Sequence, residues 1–170
     1  MMVHEQFQAE TFPLTGRRLI EASAGTGKTY NIANLYLRLL VGDSCETRTV
    51  DQILVVTFTR AATNELRGRI RDKIEMALQA FRSNTYRTEC CKDEFIAGLF
   101  ERQKGQAAIS ARLLNNALLR MDEACIFTIH GFAVRAIQVF LFETGALAEV
   151  TLTEGENARR IGRSACIGTG

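Results

Sequence analysis

Glu21-Ala22-Ser23-Ala24-Gly25-Thr26-Gly27-Lys28-Thr29 decides how this chain is read. Gly25 and Gly27 carry no Cβ, so the backbone around them can turn its N–H groups inward around an anion. Lys28 adds a point charge suited to β- and γ-phosphates, and the Thr29 hydroxyl is placed to ligate Mg²⁺. Ala22, Ser23, Ala24, Gly25, Thr26, Gly27, Lys28 and Thr29 thus read as a nucleotide-triphosphate cradle. Ala22 stands where the pattern has Gly, but the last four residues carry most of the phosphate contacts. The competing reading is a Gly-rich turn before an ordinary helix.

The flanks supply the context that a cradle needs. Arg18-Leu19-Ile20-Glu21-Ala22 reads as a short strand, and Thr29 onward reads as a helix. Ile32, Leu35, Tyr36, Leu39 and Leu40 fall at i, i+3, i+4, i+7 and i+8, one apolar stripe able to pack on a sheet. The helix is expected to end near Gly42, with Asp43 and Ser44 continuing as a loop. Its N-terminus would face the phosphates, where helix dipole and unpaired N–H groups both favour an anion.

A second block, Ile53-Leu54-Val55-Val56-Thr57-Phe58-Thr59, opens with four aliphatic residues in a row. Such a run suits a parallel strand covered by helices on both faces. Helical period follows, with Leu66, Ile70, Ile74 and Leu78 every four residues and Ala77 and Phe81 beside them. Arg67, Arg69, Arg71 and Lys73 lie between; a solvated helix face and a nucleic-acid face are both open readings for them. Thr57 and Thr59 end the strand on the edge where α/β folds place ligands, and their hydroxyls could hold a nucleic-acid phosphate.

A third block repeats the plan. Cys125-Ile126-Phe127-Thr128-Ile129 reads as a strand, and His130-Gly131-Phe132 leads into an apolar helix through Val134, Ile137, Val139, Leu141 and Phe142. A lone His at such a junction is commonly a cap or a satisfied polar residue. Between the blocks, residues 83–92 read as a polar loop, and Phe95-Ile96-Leu99-Phe100 and Leu113-Leu114-Ala117-Leu118 as two helices.

Composition bounds the rest. A chain of 170 residues, 46% hydrophobic, can bury one domain core, or one domain and part of another. A net charge of +2 neither demands nor excludes nucleic acid. Cys45, Cys90, Cys91, Cys125 and Cys166 make an odd count without a C-x-x-C pair, which argues against a disulfide framework or zinc site and for a reducing compartment. No stretch approaches the roughly 18 apolar residues of a membrane span, and the first residues hold no export-type apolar run. A cytoplasmic protein without membrane contact is expected.

Together, Ala22 to Thr29, Val56-Thr57-Phe58-Thr59-Arg60-Ala61-Ala62-Thr63-Asn64-Glu65-Leu66-Arg67 and Phe127-Thr128-Ile129-His130-Gly131-Phe132 resemble motifs I, Ia and Ib of the UvrD/Rep-like superfamily 1 DNA helicases. The resemblance runs from about Leu14 to about Glu154, and the order of the motifs is as specific as their letters. It implies an α/β fold, a P-loop (RecA-like) parallel sheet with flanking helices, incomplete here, plus the start of a helical subdomain. It implies ATP and Mg²⁺ as cofactors, with Lys28 the catalytic candidate and Thr29 the Mg²⁺ ligand. Thr57, Phe58, Thr59, Thr128 and His130 would line a single-stranded DNA track, with duplex ends as substrate and further subunits of a helicase–nuclease complex as partners. Arg60 stands where such helicases often have Asn or an acid, and Thr15 near where many carry an adenine-reading Gln.

Residues 1–144 are then read as the N-terminal part of the ATP-binding domain, with a helical insert at about 83–121, and 145–170 as the helical subdomain's start with an atypical tail. Such an NTPase needs an acidic pair at the carboxyl end of a strand. Asp122-Glu123 precedes its strand and would sit at the amino end, so this fragment is expected to bind nucleotide without turning it over. From Ala158 to Gly170 the amphipathic pattern is lost; a chain cut short and a shifted reading frame would each explain that ending. Another P-loop NTPase or kinase, and a nonenzymatic binding fragment, are the alternatives.

Overall fold

The computed structural model describes residues 7–23, 25–83 and 93–143. The chain divides into two compact units, Met1–Thr128 and Ile129–Gly170. The sequence loop at 83–92 lies outside the described residues apart from Ser83, as do Ala24 and the tail beyond residue 143.

In the first unit, α1 (Lys28–Val41) is followed by a 3₁₀ turn at Val50–Gln52, β1 (Val55–Thr57) and the 24-residue α2 (Arg60–Ser83). Then come α3 (Glu94–Gln103), α4 (Ala107–Leu119), a 3₁₀ turn at Met121–Glu123 and β2 (Ile126–Thr128). The fold is α/β, with a short parallel sheet: β1 pairs with β2 in the register Val55↔Ile126, Val56↔Phe127, Thr57↔Thr128. Helix α1 stops where expected, because Gly42 adopts φ 72° and caps it with an N–H donated to Arg38 O. Helix α2 buries Leu66, Ile70, Ile74, Ala77, Leu78 and Phe81 along one stripe, and α1, α3, α4 and both strands pack on it. Helices α3 and α4 likewise bury the expected Phe95, Ile96, Leu99, Phe100, Leu114 and Ala117.

Three expectations are corrected. Residues 18–22 form no strand; Leu19 is 85% exposed, because among the described residues β1 and β2 pair only with each other and leave this segment without a ladder. The sheet is not covered on both faces within the unit: Ile126 is buried and Val55 half-buried, while Leu54 and Val56 are exposed. The α1 stripe is centred on Tyr36, Leu37 and Leu40, and Ile32 faces outward.

Helix α1 also buries a charge. Arg38 donates from Nε to Asp43 (3.0 Å) and from Nη1 to the carbonyls of Ala9 (2.8 Å) and Phe12 (2.7 Å), pinning the N-terminal segment onto the helix. Asp43 also receives Arg102 of α3 at 2.9 Å. In the second unit, α5 (Ile129–Glu143) begins immediately after β2, earlier than its sequence suggests, and exposes Phe132, Ile137, Val139 and Phe140.

Removing one partner of a buried ion pair strands the other charge. Asp43→Ala should therefore cost about 3–5 kcal/mol in urea unfolding. Glu65→Ala, which breaks an exposed pair with Arg69, should cost less than about 1 kcal/mol. Equal midpoints for the two variants would contradict this account of Arg38.

Candidate functional site

The loop at residues 22–29 is exposed except for half-buried Thr29, with Ala24 outside the described residues. Gly25 and Gly27 adopt φ 79° and 75°, left-handed values that a side chain disfavours. A Cβ at either would meet no atom within 4 Å, so the demand is conformational rather than one of space. Gly27 is the N-cap of α1; among the described residues no side chain caps the helix, and its first turn holds no acidic residue. The first intrahelical bond reaches back from Asn31 N–H to Gly27 O. The N–H groups that open the helix thus stand where an anion can take them. Lys28 reaches back over the loop and donates to the carbonyls of Ala22 (3.0 Å) and Ser23, while the Thr26 hydroxyl donates to Ser23 O at 2.8 Å.

The strand ends form a second cluster. Register places Thr57 beside Thr128 at the carboxyl end of the sheet. The Thr59 hydroxyl accepts the Ala62 N–H at 3.1 Å and so caps α2. The Thr57 and Thr63 hydroxyls lie 2.6 Å apart, and Thr59 O lies 3.2 and 3.0 Å from them, so one hydroxyl donates to the other while the second donates to that carbonyl. The threonines therefore organise the turn from strand to helix, and Phe58 between them is 89% exposed. His130, the second residue of α5, is exposed and belongs to the second unit.

Several residues take places that the letters did not disclose. Arg67 is half-buried and donates to the carbonyls of Met121 (3.0 Å), Ala124 and Ile126 (both 3.3 Å), locking the entry to β2. Lys73 is buried against Asp93. The signal for Lys73 was present: it follows Ile70 by three and Leu66 by seven, within the apolar stripe. Arg69 and Arg71 pair with Glu65 and Glu75 on the exposed face. Asp122 and Glu123 lie in the 3₁₀ turn ahead of β2, at the amino end of the strand, with Glu123 bound by Arg120. Among the described residues no group of three or more His, Cys, Asp or Glu is placed to hold a metal, and no helix is long and apolar enough to cross a membrane.

Thr59→Ala should cost about 1 kcal/mol of unfolding free energy, the ordinary value of a lost N-cap. Phe58→Ala should stay within about 0.5 kcal/mol, as for an exposed position with no packing role. A Phe58 variant as destabilised as the Thr59 variant would show that the ring supports the fold.

Comparison with known proteins bears out the resemblance to the UvrD/Rep-like helicases. The model of the UvrD/REP helicase N-terminal domain matches residues 2–166. The RecBCD enzyme subunit RecB of Escherichia coli (strain K12) is 45% identical over 93% of this chain, and that of Haemophilus influenzae 44% identical over 79%. RecB of Chlamydia trachomatis is 41% identical over 72%. The aligned region amounts to 13%, 12% and 11% of those relatives, so the chain spans a small part of their length. With a match over nearly its whole length, the chain belongs to the UvrD/REP helicase N-terminal domain family.

Proposed function

We propose that this chain is the N-terminal, ATP-binding portion of an ATP-dependent DNA helicase/exonuclease subunit of a RecBCD-like complex. Its place is cytoplasmic double-strand-break repair and recombination. The observation that carries the reading is the N-terminus of α1, which opens at left-handed Gly27 with Lys28 as its first residue and, among the described residues, no side-chain cap. That arrangement fits a triphosphate: the free end of the helix, the left-handed turn of Gly25 and Gly27, and a lysine within reach of the loop. Residues 22–29 would hold ATP, with Lys28 on the β- and γ-phosphates and the Thr29 hydroxyl on Mg²⁺. Bound Mg-ATP would supply the phosphoryl-transfer energy that drives movement along DNA.

The chain's own part on the DNA side is positioning. Thr57, Thr59 and Thr128 at the sheet's carboxyl edge would meet the sugar–phosphate backbone, and exposed Phe58 offers a face to a base. The family resemblance gives His130, in the second unit, a backbone contact of the same kind. The likeness to RecB supports single-stranded DNA, duplex ends and the other subunits of such a complex as partners. We assign residues 1–144 to the first part of a RecA-like P-loop domain with its helical insert at about 83–121, and 145–170 to the start of the helical subdomain with an atypical tail. The position of Asp122 and Glu123 at the amino end of β2 supports nucleotide binding without turnover by this chain alone.

Calorimetry with Mg-ADP is expected to show binding by the chain and a loss of at least about tenfold, 1.4 kcal/mol, in Lys28→Ala. Equal affinities would mean that the loop is no phosphate site. Binding of an oligo(dT) strand should weaken steeply with salt, and Phe58→Ala should lower it by about 1–3 kcal/mol without changing the Mg-ADP affinity. An unchanged oligo(dT) affinity would reduce motif Ia here to a strand end.

A further inference from the structure

Lys73 is 3% exposed on α2, and groups from two other helices close around its ammonium. Asp93, the N-cap of α3, pairs with it through Oδ2. The Tyr30 ring of α1 lies 4.0 Å from Nζ and the Phe95 ring 5.4 Å, so the charge is held by two aromatic faces as well as a carboxylate. Tyr30 closes the circuit by donating its hydroxyl to Asp93 Oδ1 at 3.2 Å. Partial burial and the Asp93 carboxylate raise the Tyr30 phenol above its ordinary range, which keeps the hydroxyl a donor.

The cluster joins the two helices that begin at the candidate ligand sites. Tyr30 directly follows Thr29 in the first turn of α1, the turn that opens from the phosphate cradle. Lys73 lies thirteen residues along α2 from Arg60, about 20 Å down a continuous helix from the Thr57–Thr59 turn. We propose that Lys73 is a positioning residue that locks the first turn of α1 to α2 through Tyr30 and Asp93, so that nucleotide at the cradle and single-stranded DNA at the head of α2 change each other's affinity. The proposal rests on the reading of those two sites given above.

The physical case is the cost of separation. A phosphate that shifts the first turn of α1 must either draw Tyr30 off Lys73 or carry α2 with it. Lys73 is buried, and stripping partners from a buried ammonium is far more costly than from an exposed one. Moving as a unit is therefore the easier course, and a rigid helix passes the displacement to its N-terminus. Linkage then requires the effect to run equally in both directions.

The test is the dissociation constant of Mg-ADP for this chain, measured with and without saturating oligo(dT). The wild-type ratio is expected to be about fivefold or more, the lower end of ordinary coupling. Lys73→Met, which keeps the apolar stem, and Tyr30→Leu should each bring the ratio close to one while Mg-ADP still binds. Glu65→Ala, on the exposed face of the same helix, should keep the wild-type ratio and so separate coupling from general loosening of α2. A wild type that binds both ligands independently, or variants that fold and keep the wild-type ratio, overturns the proposal. Should Lys73→Met fail to fold, Tyr30→Leu decides alone. A wild type that does not bind Mg-ADP at all overturns the reading of the cradle and this proposal with it.

Discussion

The buried stripe of α2 is the constraint on which the rest of the first unit depends. Leu66, Ile70, Ile74, Ala77, Leu78 and Phe81 run along it, and α1, α3, α4, β1 and β2 all pack against it. Each fully buried Leu, Ile or Phe side chain contributes on the order of 1.5–3 kcal/mol, so this helix organises most of the apolar burial. Only Phe58 and Thr59 separate β1 from α2. The sheet's carboxyl edge is therefore positioned by helix packing and by the threonine turn. Arg67 acts from the same helix on the other strand, since its guanidinium holds three carbonyls around the entry to β2. One helix thus fixes both strand ends relative to each other.

The two helices that begin at candidate sites solve their open N-termini differently. Helix α1 starts at left-handed Gly27 with no side-chain cap and no first-turn acid. Its donors and dipole remain available to an anion. Helix α2 spends one of its donors on the Thr59 hydroxyl. The basic residues on its exposed face are partly neutralised as well, Arg69 by Glu65 and Arg71 by Glu75. Strong phosphate attraction along α2 is accordingly reduced, and the exposed Phe58 face gains in relative importance at that edge. The contrast fits the proposal of a triphosphate site at the start of α1 and a weaker DNA contact at the head of α2.

What the sequence disclosed follows the range of the forces involved. Glycines at left-handed positions, a lysine and threonine at a helix start, and the four-residue rhythm of α2 are local, and all are found as read. Residues 18–22 look like a strand because their side chains favour one, yet a strand exists only with a partner, and the ladder here joins β1 to β2. The run Ile53–Val56 has the composition of a strand buried on two sides, while this unit covers one. The pairing of Lys73 with Asp93 was least accessible, because nothing near Lys73 in the chain names its carboxylate. Candidate site residues were legible as a set of motifs. That Thr57 bonds the Thr59 carbonyl and Thr59 caps α2 is set by the folded turn and not by the motif letters.

Two buried cations in this unit invite opposite interpretations. Arg38 binds Asp43, only five residues away, and the carbonyls of Ala9 and Phe12; together these hold the N-terminal segment against α1. That geometry serves a fixed joint, since fixed carbonyls satisfy the planar guanidinium fork. Lys73 instead occupies a core position of an apolar stripe, where a hydrophobic residue of similar volume is often as stable or more so. Its partners include groups from α1 and α3, among them two aromatic faces, which tolerate sliding better than a bidentate fork does. A cation that gains little as packing, placed where three helices meet beside the cradle, is better explained by what it links than by what it stabilises.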